Sequence, residues 1–356
     1  MNQILVSAGY MGSGSSAFTN LVSEFKGYEI NNAEFEYIFL HCPNGLFDLE
    51  DKLLRGNNAL RSDEAIHAFL NCMYRLYHNP NYWFSGYKRK ISPRFYELCE
   101  ELVNDLQLVC VRDTHWYYQE NIEDLAKRIR WNINFRVSRM IKRPFPAVEH
   151  VRPLDYRDVR LAYPDAEAFY GAAKKFLNAV YQELGISSHP LVLDQLLLPH
   201  NLFRIDRYFD DNLRVFVSAR DPRDVFLLNK YVWRPGNEGV PFPTDAEDFC
   251  AYYDAMRRSE TPVEDARVLR MHFEDLIFRY EASCQRIYDF LGISADKHKA
   301  GKLTIFNPEI SINNTRLFMR GVYPAEEIRI IEKRLPQYLY NFPSDIPVSD
   351  SERKIF

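Results

Sequence analysis

The stretch ILVSAGYMGSGSS, Ile4 to Ser16, most constrains what this chain can fold into. Ile4 to Ala8 is a short apolar run that predicts a buried parallel strand, and Ser16 to Phe25 has helical spacing through Phe18, Leu21, Val22 and Phe25. Between them lie Gly9, Gly12 and Gly14. A glycine loop at a strand-to-helix junction suits anion binding, because the backbone can approach closely while amides and the helix N-terminus point at the ligand. The loop satisfies the phosphate-loop pattern G-x-x-x-x-G-K-[ST] at both glycines and at Ser16, but Ser15 stands where the lysine belongs. Ser13, Ser15 and Ser16 offer hydroxyl donors instead. The plainer alternative is a turn followed by a serine-capped helix.

The missing lysine bears on the chemistry. NTP hydrolysis and phosphoryl transfer commonly use that cation on the β and γ phosphates, and the strand ending in Asp113 is a weak match for a metal-binding carboxylate. An ordinary nucleotide kinase or ATPase is therefore disfavoured. The chain's net charge of −4 exerts no global pull on nucleic acid or anionic membrane, so any anion site must come from local charge. Six cysteines lie without a C-x-x-C pair or a His/Cys cluster, which points to structural thiols in a reducing compartment and away from metal binding. No stretch reaches the roughly 20 apolar residues of a membrane span, and the N-terminus lacks the pattern of a signal peptide. A cytoplasmic protein is expected.

Further strands are expected at Leu106 to Val111, Leu191 to Leu193, Leu213 to Ala219 and Val268 to Phe273, with helical segments between them. Alternation of this kind predicts a parallel, doubly wound α/β sheet of P-loop NTPase-like type. Residues 49–184 read as a large helical insertion, with amphipathic segments at Asp51 to Arg61 and Ile122 to Ile141, inside a single domain spanning 1–356. The insertion is expected to shape the acceptor side of the site. Immediately after LRVFVSA comes RDPRDVFLLNKY, which places Arg220 at the carboxyl end of a strand, where open α/β sheets bind ligands and where arginine can hold a phosphate bidentately. Asp221 and Asp224 can instead pair with Arg223 and cap the next helix.

With these motifs in order, the chain resembles the sulfotransferases that use 3′-phosphoadenosine-5′-phosphosulfate. Ser13-Gly14-Ser15-Ser16 is similar to the family's loop for the 5′ sulfate-phosphate end, and Arg220 to Val225 is similar to its R-[DN]-P-[RK]-D-V motif, whose first arginine binds the 3′-phosphate. Val268 to Ile293 resembles the family's strand and E-D-L helix, and Phe306 to Phe318 its asparagine-containing segment that closes over the nucleotide. The helical middle is not covered. The resemblance implies the sulfate-donor nucleotide as co-substrate, no metal, and donor contacts from Gly12, Ser13, Gly14, Ser15, Ser16 and Arg220. Two positions depart from it: Gly12 replaces the cation before S-G, and Leu228 replaces a serine, leaving Asn229 or Lys230 as nearby donors. Arg316 and Arg320 are candidates for the lost positive charge.

Sulfuryl transfer needs a base for the acceptor hydroxyl. The resemblance brings Asp194, Gln195 and His200 toward the acceptor, while Glu34 or Glu36, and His115, are the other candidates. The expected acceptor is a hydroxyl on a carbohydrate or glycoconjugate. A P-loop nucleotide kinase, and a non-catalytic binding module on the same fold, are the alternatives.

Overall fold

A computed structural model describes residues 2–10, 12–28, 30, 35–79, 83–114, 125–142, 144, 157–236 and 242–343. Its strands are β1 (Ile4–Gly9), β2 (Val109–Thr114), β3 (Arg157–Leu161), β4 (Leu191–Asp194), β5 (Leu213–Ala219) and β6 (Val268–His272). Four of them form one parallel sheet in the order β4-β1-β5-β6.

Successive residues of a strand point to opposite faces, and here both faces are apolar. Ile4, Val6 and Ala8 join Leu191, Leu193, Val215 and Val217 in one core. Leu5, Val192 and Phe216 face the other, packed against Phe18, Leu21 and Val22 of the helix Ser15–Ser23 and Ile287 and Leu291 of the helix Tyr280–Leu291. A sheet covered on both sides is the doubly wound arrangement expected from the near-continuous apolar runs.

The strand order creates the site. From β1 the chain moves to β4 on one side, then returns past β1 to β5 and out to β6. The direction of winding therefore reverses between β1 and β5, and the crevice at their carboxyl ends is where open α/β sheets bind ligands. The glycine loop leaves β1 at that point, and Arg220 leaves β5.

The insertion differs from its sequence pattern in two places. Asp51 to Arg61 is not one helix: the helices Leu46–Leu54 and Ala59–His78 are separated by Gly56 at φ +60°, and the Asn58 side chain accepts from Arg61 N at 3.0 Å to start the second. Leu106 ends the helix Phe95–Leu106, because it continues the buried stripe of Leu98, Cys99, Leu102 and Val103. The strand begins only at Val109, and it pairs antiparallel with β3 in a separate two-stranded sheet. Helices Leu46–Leu54, Ala59–His78, Phe95–Leu106 and Ala166–Glu183 all contribute to the core under β1 and β4. The helix Leu125–Lys142 presents its described apolar side chains outward, from Leu125 at 68% exposed to Met140 at 72%. Among the described residues no helix is long and apolar enough to cross a membrane.

Candidate functional site

The loop after β1 is held from below by the sheet. Ser7 Oγ on β1 donates to Ser15 O at 2.6 Å, and Ser218 Oγ on β5 donates to Ser13 O at 2.7 Å. In a trans peptide the carbonyl and the following N–H point in opposite directions, so fixing these two carbonyls toward the sheet turns the amides of Gly14 and Ser16 toward the crevice. Gly12 and Gly14 adopt φ +77° and +79°, and a Cβ on Gly14 would meet the Phe273 ring at 2.8 Å. Position 14 accepts only glycine on both counts. Ser13 Oγ is buried and has no hydrogen-bond partner among the described residues.

Arg220, 3% exposed, lies over the Phe273 ring at 4.8 Å. Its Nη1 donates to Gly12 O at 3.3 Å and its Nη2 to Asn314 O, so the guanidinium ties the glycine loop to the C-terminal segment. Its buried Nε has no partner among the described residues. The turn beneath is braced by charge. Asp221 accepts from Arg223 N at 2.9 Å, caps the helix Pro222–Leu227 and pairs with the Arg223 guanidinium at 2.8 Å. Asp224 does something the local pattern did not suggest. Its two oxygens accept from Arg316 N and Leu317 N, both at 2.8 Å, and hold the Asn313–Arg316 stretch beside Arg220. Burial, then Asp221, pushes Asp224 up to about 7, and burial, then Asp221, pushes the neighbouring Glu274 up to about 8.

These parts open onto a cavity of about 540 Å³. Gly12, Ser13, Gly14, Ser15, Ser16 and Arg220 form one end. The other end is apolar and aromatic, with Tyr10, Leu198, Pro199, Trp233, Tyr252 and Met256, interrupted by Glu36, His41, Gln195 and His200. No described lining residue falls within 49–184, and Arg220 is the one Lys or Arg among those described.

Of the candidate bases, His200 lines this wall. Burial lowers its pKa, with Glu260 opposing, and its buried Nδ1 has no partner among the described residues. A neutral imidazole on the cavity wall can accept a proton. Glu36 also lines the wall, and burial raises its pKa while Trp83 Nε1 donates to it at 3.2 Å. Asp194 sits behind the wall on β4, pushed up to about 7 by burial and then by Glu36. Glu34 and His115 lie outside the described residues.

The remaining donor candidates are not cavity-lining residues. Asn229 is fully buried, with Nδ2 donating to Phe242 O at 3.1 Å. Lys230 pairs with Glu327. Arg316 is 2% exposed and lies over the Phe278 ring at 4.9 Å, and Arg320 donates to Asn313 O. Among the described residues no group of His, Cys, Asp and Glu could hold a metal ion.

Sequence reasoning missed His41 and Tyr10, and His41 carried no signal for a site. His41 sits in a turn two residues after Phe39, and only the tertiary contact of its Nε2 with Gln195 O, at 2.7 Å, places it. Tyr10 could have been suspected from its position inside the glycine loop; its hydroxyl donates to Glu260 and its ring lies under Arg257 at 4.2 Å.

No protein-family model matches this chain. No curated protein matches it either. Among solved structures it is similar to the sulfotransferase domain from the curacin biosynthetic pathway, at 13% identity over 94% of this chain and 97% of that one, with a TM-score of 0.38. It is also similar to the sulfotransferase domain from the Synechococcus PCC 7002 olefin synthase, at 14% identity over 96% and 95%, with a TM-score of 0.39. A sulfotransferase of Mycobacterium tuberculosis H37Rv aligns at 10% identity over 89% and 77%, with a TM-score of 0.30. At scores this low, the reading of the site rests on the residues of this chain.

Proposed function

We propose that the chain is a cytoplasmic sulfotransferase that takes 3′-phosphoadenosine-5′-phosphosulfate and transfers the sulfuryl group to a hydroxyl of a carbohydrate or glycoconjugate. The observation that carries this reading is the convergence, at one switch-point crevice, of an anion cradle from β1 and a buried arginine from β5. Ser13 Oγ and Arg220 Nε are buried polar atoms without partners among the described residues. Such atoms cost about 1–3 kcal/mol each unless something accepts or donates, and an anionic ligand supplies what both need. In this reading Gly12 to Ser16 hold the 5′ end of the donor and Arg220 the 3′-phosphate. The donor brings the activated sulfuryl group; the chain's own task is to hold it and to take the proton of the attacking hydroxyl. His200 is the base, with Glu36 as the alternative on the same wall. The rings of Tyr10, Trp233 and Tyr252 suit the apolar faces of sugars.

Calorimetry with adenosine 3′,5′-bisphosphate tests the reading. Binding is expected, and Arg220→Ala should weaken it at least tenfold, about the low end for a hydrogen bond to a charged group. A folded sample with no binding at millimolar ligand would reject it. The scarcity of cations among the described lining residues favours a second reading, a binding module without transferase activity. Nucleotide binding without sulfate transfer to any acceptor in a panel would select that one.

A further inference from the structure

Gln195 is the first residue after β4, and it sits at φ +57°. A residue other than glycine held in the left-handed region costs on the order of 1 kcal/mol and persists only where its surroundings over-determine it. Three contacts do so here. Its N–H donates to Ser7 O at 2.8 Å, its carbonyl accepts from His41 Nε2 at 2.7 Å, and its side-chain Nε2 donates to Ser15 Oγ at 2.8 Å.

Each contact fixes a proton. A carbonyl can only accept, so His41 Nε2 carries hydrogen. Burial lowers the pKa of His41, with the backbone hydrogen bonds at Gln195 and at His41 itself opposing. The amide nitrogen of Gln195 likewise can only donate. Ser15 Oγ is therefore the acceptor in that contact, and its own hydrogen must point elsewhere. Among the described residues no protein group accepts it, and Ser15 lines the cavity.

We propose that Gln195 is a positioning residue that turns the Ser15 hydroxyl into a donor toward an anion in the glycine loop, with His41 locking Gln195 in place. Ser15 stands where a phosphate loop carries lysine, so the relay supplies an oriented neutral donor at the position that lacks a charge. This deepens the function proposed above and rests on it for the assignment of the loop to the 5′ end.

A double-mutant cycle tests the relay, read by calorimetry with adenosine 3′,5′-bisphosphate and with adenosine 3′-monophosphate, which has no 5′-phosphate. Gln195→Met should weaken the bisphosphate about tenfold and leave the monophosphate unchanged. In the Ser15→Ala background the same substitution should have no further effect. Equal losses in both backgrounds, or equal losses for both ligands, would mean general loosening of the loop and would overturn the relay. Unchanged bisphosphate affinity in Gln195→Met would overturn it while leaving the proposed function standing. Failure of the unsubstituted protein to bind the bisphosphate would instead remove the function, and the relay with it. Should Gln195→Met fail to fold, Gln195→Glu replaces it: its carboxylate accepts from Ser15, turns the hydroxyl away and should weaken the bisphosphate at least as much.

Discussion

The arginine turn and the helix Leu125–Lys142 use the same kinds of side chain in opposite ways. In the turn and packed against it, Arg220, Asp221, Arg223, Asp224, Glu274 and Arg316 are all under 9% exposed, and each reaches a backbone group, an aromatic face or an opposite charge. The helix carries six Lys and Arg and no Asp or Glu, and its described side chains are exposed. Buried charge must be matched in place, because an unpaired buried ion costs several kcal/mol, whereas an exposed cation is satisfied by water. Location, more than residue type, decides which charges build a site.

Three measurements would break or sharpen that contrast. The largest effect is expected from Asp224→Ala, which leaves two buried backbone N–H groups without an acceptor; denaturant unfolding should show a loss of about 3 kcal/mol. A loss under about 1 kcal/mol would mean that the C-terminal segment is held by its apolar contacts.

Next comes pH. Asp194 titrates near 7 in the folded chain, so its stabilising contribution is fully present below the ordinary carboxylate range of about 4 and is lost as pH rises through about 7. The folded state keeps a proton there that the unfolded state has released. Denaturation midpoints should therefore fall between pH 5 and 7, and Asp194→Asn should flatten that slope by about one proton. An unchanged slope would show that Asp194 is ionised in the folded protein. The smallest effect is expected at Arg136, in the exposed helix: Arg136→Ala should change stability by less than about 0.5 kcal/mol. A larger loss would show that the helix side chains are braced after all.

Much of this was legible in the sequence because the signals are local. Apolar runs that alternate with helical spacing gave the parallel sheet, and a glycine loop after the first strand with an arginine after LRVFVSA marked the two sides of one crevice. The errors were also local in origin. LQLVCV looked like one strand, but a buried helical stripe from Leu98 captures Leu106, leaving the strand to begin at Val109. The described cavity wall is drawn from Glu36, His41, Leu198 to His200, Trp233, Tyr252 and Met256. Those residues are scattered over more than half the chain, and no spacing rule links them.

By itself the sequence determined the strands of the parallel sheet, the glycine loop after the first of them and the end of the sheet at which that loop and Arg220 lie, since each depends on residues within a few positions of one another. Only the tertiary structure decided which side chains line the cavity and which are held elsewhere. It took Asn229 into the core, paired Lys230 with Glu327, bound Asp224 to a segment more than ninety residues away, and set Gln195, itself held by His41, against Ser15 at the position where a phosphate loop carries lysine. Hydrogen bonds form between neighbours in space, and the order of strands β4-β1-β5-β6, not proximity along the chain, made these residues neighbours.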